Sequence, residues 1–353
     1  MTASAKDRTD RLKLAFVGCG AISSMHLLGI REGAAQIEVT AAVDTNPEHA
    51  KAVAEQTGAA VYSSLEQALA EGDFDAVDLM LPHHLHEEAA VAAFEAGKHV
   101  LLEKPMAPTP DACERILAAA ARAAEEAGCV FMVAENAQYW PEVVTARRLI
   151  EDGAIGEIVT ARGCIFFPPM DAYYGRSART GGARPWRFDR AMAGGGIAID
   201  TGSHWIRPLR MWLGEVDEVT AALGRPFGEM EGESLVRALL RFRSGVVASF
   251  DALLTEAPLA PEVLFRITGS RGEIAIEGVG RTVLYDADNR KGRAVGETGG
   301  YLRSYKGEFA DFSRAVLERE PLAAGPEFSL GELRTALAMV RSAETGRWEK
   351  VWG

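Results

Sequence analysis

Lys104 is the first residue whose type and position could do chemistry. It follows the apolar run Val100-Leu101-Leu102 and stands in Glu103-Lys104-Pro105. Such a run reads as a buried parallel strand, and open α/β sheets bind their ligands at the carboxyl ends of strands. Pro105 stops the strand, removes an amide donor and keeps the preceding residue extended. Lys104 is then a cation on a pinned backbone at a ligand crevice; a solvated lysine at a strand end is the other reading. A second candidate pair follows the triple glycine Gly194-Gly195-Gly196, in Asp200-Thr201-Gly202-Ser203-His204. If a helix starts at Asp200, Asp200 and His204 lie one turn apart on one face. A carboxylate placed there holds an imidazole in one tautomer, which makes His204 a proton-transfer group. A capping aspartate with a structural histidine is the alternative.

A third group concerns a dinucleotide. Leu12–Val17 reads as a strand that runs into Gly18-Cys19-Gly20-Ala21-Ile22-Ser23, and a helix-compatible stretch follows. In that context Gly18 permits a tight turn and Gly20 lets backbone approach a pyrophosphate met by a helix N-terminus. Ser23 stands where the fingerprint has its third glycine. The next strand, Ile37–Val43, ends at Asp44, placed to accept hydrogen bonds from an adenosine ribose. No arginine follows in Thr45-Asn46-Pro47 to hold a 2′-phosphate, so NAD is preferred over NADP. Asp44 also reads as an N-cap for a helix starting near Pro47.

The elements that must position these residues alternate. Strands at 59–62, 76–81, 99–102 and 130–134 are separated by helices at 48–57, 64–70, 87–96 and 111–127. With the two strands above, that pattern gives a doubly wound parallel sheet. After residue 135 strands predominate, at 158–167, 218–222, 235–242, 246–253, 264–268 and 273–277. They predict an antiparallel or mixed sheet with one open face. The expected division is a tail over 1–10, a dinucleotide-binding domain over 11–138 and a second α/β domain over 139–353. Of the two closing helices, 301–319 and 329–345, the last is expected to pack back on the first domain.

Composition excludes other classes. The chain has 353 residues, 38 basic and 50 acidic, for a net charge of −12. That argues against a nucleic-acid or anionic-membrane surface, and no apolar run reaches the roughly 18 residues of a membrane helix. Cys19, Cys113, Cys129 and Cys164 lack Cys-x-x-Cys spacing, so neither zinc nor a redox pair is expected, and a reducing cytoplasm fits. His83, His84 and His86 after the fourth strand lack a completing ligand set. No metal is expected there, and one of them with His86 would line the crevice or cap the next helix. Asp171–Arg190 holds Arg176, Arg179, Arg184, Arg187 and Arg190 with Gly175, Gly181 and Gly182. Such a loop could close over an anionic sugar, since guanidinium matches carboxylate and phosphate; surface ion pairs or a subunit contact are the alternative.

The glycine loop, Glu103-Lys104-Pro105 and Asp200-x-x-x-His204 together resemble the glucose–fructose oxidoreductase / inositol dehydrogenase / rhizopine-catabolism family, over about residues 12–345. His26, Pro82, His86, Pro185-Trp186-Arg187 and Tyr305-x-x-Glu308 also match. The resemblance implies a Rossmann domain followed by an α/β domain whose open sheet builds a homodimer or homotetramer. It implies hydride transfer between nicotinamide and a secondary alcohol or ketone of a sugar or cyclitol. Lys104 would polarise the reacting oxygen, His204 would shuttle the proton and Asp200 would orient His204. Pro82, His86, Glu103, Lys104, Asn136, Trp186 and Arg187 would touch the cofactor. Tyr139 and Tyr305, with Arg179 and Arg184 of the arginine loop, would join Lys104 and His204 around the substrate. Glu135-Asn136 stands where many relatives carry a basic residue, which points to a different pocket. An NAD-dependent glycosidase using transient oxidation, or a non-catalytic dinucleotide-binding sensor, are the competing functions.

Overall fold

A computed structural model describes residues 11–34, 36–169, 184–278 and 280–353. Six strands form the first sheet: β1 (Leu12–Val17), β2 (Ile37–Val43), β3 (Ala60–Tyr62), β4 (Ala76–Leu79), β5 (His99–Glu103) and β6 (Phe131–Ala134). All neighbours are parallel and the order is β3-β2-β1-β4-β5-β6, a Rossmann sheet. The direction of winding reverses between β1 and β4, so the ligand crevice opens above those two strands. Helices α1 (Ser23–Gly33), α2 (Pro47–Thr57), α3 (Leu65–Glu71), α4 (His86–Glu95) and α5 (Pro110–Ala127) make the crossovers. Their ends follow the side chains. Asn46, Ser64 and Thr109 accept from backbone amides as N-caps, and Gly58 and Gly128 close α2 and α5 in the left-handed conformation.

The second sheet has nine strands, in the order β14-β13-β12-β11-β7-β10-β9-β8-β15. They are β7 (Ile158–Phe167), β8 (Val216–Gly224), β9 (Leu235–Phe242), β10 (Val247–Leu254), β11 (Val263–Gly269), β12 (Gly272–Glu277), β13 (Arg281–Asp286), β14 (Arg293–Val295) and β15 (Glu349–Lys350). Only β7 and β10 pair in parallel. Burial alternates along β9 and β10, so one face is covered and the other open. The cover comes from α8 (Ser203–Leu213) and α10 (Glu327–Thr345). Trp205 and Leu209 of α8 close on Gly163 of β7, and Ser342 of α10 accepts the Ala221 amide of β8. The remaining helices are α6 (Pro141–Glu151), the single turn α7 (Arg190–Ala193) and α9 (Gly300–Leu317).

Both closing helices reach the first domain: Arg334 of α10 donates to Glu114 of α5, and α9 lies against the first sheet. Phe309 and Phe312 of α9 share a core with Leu14, Phe16 and Leu101. A Cβ on Gly29 of α1 would fall 2.8 Å from Tyr305 and from Phe309, so the two helices meet through absent side chains. Burying each phenylalanine stabilises this contact by about 1.5–3 kcal/mol. Helix α6 and strands β13 to β15 were not anticipated; the three strands are short or charged and find their place only by pairing with a neighbour.

Candidate active site

The backbone builds the first part. Gly18 ends β1 with φ +90°, and a Cβ there would lie 2.4 Å from the Met80 carbonyl at the end of β4. Glycine is therefore required where the chain crosses the switch point. A Cβ on Gly20 would meet nothing within 4 Å, and Gly20 and Ala21 are exposed at the start of α1, with Ile22 half-buried behind them. This is an open cradle below a helix N-terminus. Ser23 packs under it, its hydroxyl donating to Gly20 O at 2.7 Å. The Asp44 carboxylate is already fixed: Cys19 N donates to Oδ2 at 2.8 Å and Asn46 N to Oδ1 at 2.7 Å. The helix cap expected of Asp44 belongs to Asn46, which accepts from Glu48 N. Burial and the neighbouring Asp44 push the Cys19 thiol up to about 12, so it stays a neutral packing group. An open glycine cradle, a helix start and an oriented acid at the end of β2 fit a dinucleotide.

The second part is a cluster of charges where the two sheets meet. The Lys104 ammonium donates to Asp200 O at 2.9 Å and to Asp200 Oδ1 at 3.1 Å. Arg187 Nε donates to Asp200 Oδ2 at 3.2 Å, and its guanidinium lies 4.2 Å over the Trp186 ring. Trp186 in turn meets His83 edge-on at 4.5 Å, and His83 Nδ1 lies 2.8 Å from Ala193 O. Burial acts to raise the Asp200 carboxyl, but Lys104 and Arg187 outweigh it and hold it well below the ordinary carboxylate range. The triple glycine serves this placement. Gly196 N and Ala198 N donate to the buried Glu233 carboxyl at 3.1 and 3.0 Å, and a Cβ on Gly196 would strike Glu233 backbone. The chain thus wraps Glu233 and delivers Asp200 to the two cations.

His204 has a different partner from the one expected. Helix α8 starts at Ser203, after Asp200, so the pair never shares a helical face. His204 Nδ1 lies 2.5 Å from Glu135 Oε1, a carboxylate at the carboxyl end of β6. Burial acts to raise Glu135, but His204 beside it, then Arg207 and Lys104, bring it down to about 2. With Nδ1 engaged by Glu135, Nε2 is the ring nitrogen turned to proton exchange. Glu135 was legible as an acid at a strand end beside Lys104, but its sequence distance from His204 hid the pairing.

Several other expected site residues have protein partners. His86 is buried, its ring nitrogens 3.0 Å from Pro105 O and 2.9 Å from Leu81 O, and burial pushes its pKa down. It pegs the loops after β4 and β5 together behind the crevice, while Pro82 opens the turn between them. His84 is exposed, whereas His83 is buried. Asn136 donates to Ser304 Oγ at 2.8 Å. The Tyr139 hydroxyl donates to Asp311 of α9 at 2.7 Å, and Tyr305, 1% exposed, donates to Tyr301. The Tyr139 contact ties the turn after β6 to α9, and the Tyr305 contact lies within α9 itself. Tyr301 is the aromatic beside His204, with ring centroids 5.8 Å apart. Arg184 donates to Glu231, in the connection between β8 and β9, at 2.7 Å and to the Phe188 carbonyl. Arg176 and Arg179 lie outside the described residues. No cluster of His, Cys, Asp or Glu that could hold a metal occurs among the described residues.

Known proteins with the same features match nearly the whole chain. The family model described as "Oxidoreductase family, NAD-binding Rossmann fold" matches residues 12–135, and that of the GFO/IDH/MocA C-terminal domain matches 143–275. Levoglucosan dehydrogenase of Pseudarthrobacter phenanthrenivorans is 29% identical over 87% of this chain and 88% of its own. The 1,5-anhydro-D-fructose reductase of Ensifer adhaerens is 30% identical over 88% of this chain and 90% of its own. A levoglucosan dehydrogenase solved in complex with NADH superposes with a TM-score of 0.84 at 26% identity, covering 97% of this chain and 99% of that one. With both halves matched and a relative 30% identical over 90% of its length, the chain belongs to the Gfo/Idh/MocA family of oxidoreductases.

Proposed function

We propose that this protein is a nicotinamide-dependent dehydrogenase or reductase acting on a secondary alcohol or ketone of a sugar-like ring. The observation that carries this is the grouping of Lys104 with the His204–Glu135 pair, close enough for the ammonium to help draw the Glu135 carboxyl down, at the strand ends of an NAD-binding fold. Gly18, Cys19, Gly20, Ala21 and Ile22 would hold the pyrophosphate, and Asp44 the adenosine ribose. Because the Asp44 carboxylate stands where a 2′-phosphate would be repelled, NAD is the preferred form, with NADP second. The nicotinamide, when bound, supplies the hydride acceptor or donor.

His204 Nε2 takes the hydroxyl proton as the alcohol is oxidised, and the Glu135 carboxylate on Nδ1 stabilises the imidazolium so formed. A positioned base of this kind contributes about 10²–10⁴-fold. Lys104, a compact cation, stabilises the alkoxide that develops on the same oxygen. Asp200 keeps Lys104 and Arg187 fixed before substrate arrives, so no reorientation is needed at the moment of reaction. The relatives' names, levoglucosan dehydrogenase and 1,5-anhydro-D-fructose reductase, support an anhydro-sugar as substrate. Leu239 and Val247 are exposed on the open face of the second sheet, which supports a homodimer or homotetramer built there. Four unpaired cysteines support a cytoplasmic setting, and no described helix is long and apolar enough to cross a membrane.

The test is absorbance at the reduced-nicotinamide band, with NAD and separately NADP, against anhydro-sugars, aldoses, inositols and uronic acids. Turnover with one group supports the reading. Glycoside cleavage with no net NADH, or tight NADH binding with no turnover on any of them, would replace it.

A further inference from the structure

Behind the reaction site lies a layer of charge that the chemistry above does not use. His26, in the second turn of α1, is fully buried. Its Nδ1 lies 2.7 Å from Asp78 Oδ2 of β4, and its Nε2 lies 3.1 Å from Glu103 Oε1 of β5. Two ring nitrogens facing two carboxyl groups favour a ring that donates from both, an imidazolium. The second oxygen of Glu103 accepts the Lys104 amide at 2.9 Å. Lys104 then reaches Asp200, so one unbroken chain of polar contacts runs Asp78–His26–Glu103–Lys104–Asp200.

The surroundings seal this chain. Tyr305 and Phe309 of α9 pack on the His26 ring, with centroids 5.6 and 5.2 Å away. Glu308 of the same helix is fully buried, and neither of its oxygens has a hydrogen-bond partner among the described residues. Burial, then nearby Glu103, Asp78 and Glu135, push the Glu308 carboxyl well above the ordinary range despite His26. Glu308 is thus held toward its neutral form, and His26 is the cation that Asp78 and Glu103 share. Burial alone would lower His26, but Asp78 and Glu103 raise it well above an ordinary histidine.

We propose that His26 is a positioning residue for Lys104: bridging Asp78 and Glu103, it fixes the carboxylate that holds the Lys104 backbone, and so sets where the ammonium stands. The same side chain grows from the helix whose first residues form the glycine cradle, so α1 is tied to β4 and β5 at one point. A helix that merely needed packing would take an apolar residue here; burying an ion group costs several kcal/mol unless it is fully paired.

This inference rests on the reading of Lys104 as the group that polarises the reacting oxygen. A double-mutant cycle separates the two. Lys104→Met, His26→Gln and the combined variant are assayed for turnover with the sugar found active in the panel, and titrated with NADH by fluorescence. If His26 acts through Lys104, His26→Gln lowers kcat by about tenfold or more, leaves the NADH Kd within about twofold, and adds nothing to Lys104→Met. Multiplicative effects overturn the positioning role alone, whereas a Lys104→Met protein with normal turnover overturns the site reading itself. Should His26→Gln not fold, Glu103→Gln replaces it in the same cycle, with the same two outcomes. Independently, ring-nitrogen NMR of histidine-labelled wild-type protein should show one imidazolium persisting at about pH 8.5, beyond an ordinary histidine's range. Only neutral rings at that pH would overturn the charged bridge.

Discussion

The dinucleotide cradle and the reaction centre are built in opposite ways. The cradle is backbone and short range: Gly18, Gly20, the start of α1 and Asp44 lie within one βαβ unit. Its specificity is in missing side chains and aimed amides. The reaction centre is side chain and long range. Lys104 comes from β5, Glu135 from β6, Arg187 and Asp200 from the segment before α8, and His204 from its first turn. The cradle can tolerate change in almost any side chain but not in conformation. The centre depends on which acid meets which base. That difference teaches that cofactor binding and turnover should be separable by substitution.

The largest separation should come from His204→Ala. Turnover should fall about 10²–10⁴-fold, the range for loss of a positioned base, while NADH titration stays near wild type. A kcat within tenfold of wild type would remove His204 from the proton path. Next comes Gly20→Val, the mirror case. A side chain at Gly20 meets nothing in the fold, so thermal stability should be unchanged while NADH affinity drops roughly tenfold or more, about 1.4 kcal/mol. Unchanged affinity would show that the pyrophosphate does not lie there.

Glu135 sharpens the comparison through pH. Its folded pKa, about 2, lies below the ordinary 4.5, so ionised Glu135 stabilises the fold above pH 4.5. That contribution, on the order of 3 kcal/mol, is lost as pH falls from about 4.5 toward 2. The Glu135→Gln protein should therefore show a flatter acid unfolding curve through that window, together with reduced turnover. A curve parallel to wild type would place the pair's energy elsewhere. The smallest effect is expected at Asp44. Asp44→Asn keeps an oxygen for the Cys19 amide, so the Michaelis constant for NAD should rise severalfold with kcat unchanged. Steady-state kinetics with NAD and NADP would check it, and an unaltered preference for NAD would mean that Asp44 is only a loop brace.

The same contrast explains what could be read from the sequence. Contiguous features were legible. The Gly18-x-Gly20 turn, the strand ending at Asp44, the caps Ser64 and Gly128 and the strand before Lys104 each carry their own local signal. The pairing of His204 with Glu135 was not, because the two are 69 residues apart and joined only when β6 and α8 meet. The spacing Asp200-x-x-x-His204 suggested a helical pair, yet Gly202 and the turn before Ser203 leave Asp200 outside the helix, where two cations claim it. The partner of Tyr139 was hidden for a related reason: its hydroxyl meets Asp311 of α9, far along the chain, in a helix placed by the small residues Gly29 and Gly33.

The most direct test of the division between cradle and centre is Lys104→Met in one preparation, measured for both NADH binding and single-turnover hydride transfer. The account predicts an NADH Kd within about twofold of wild type and a transfer rate at least about 10²-fold slower, the loss of one cation at a developing alkoxide. Normal hydride transfer, or NADH binding lost together with it, would contradict the account.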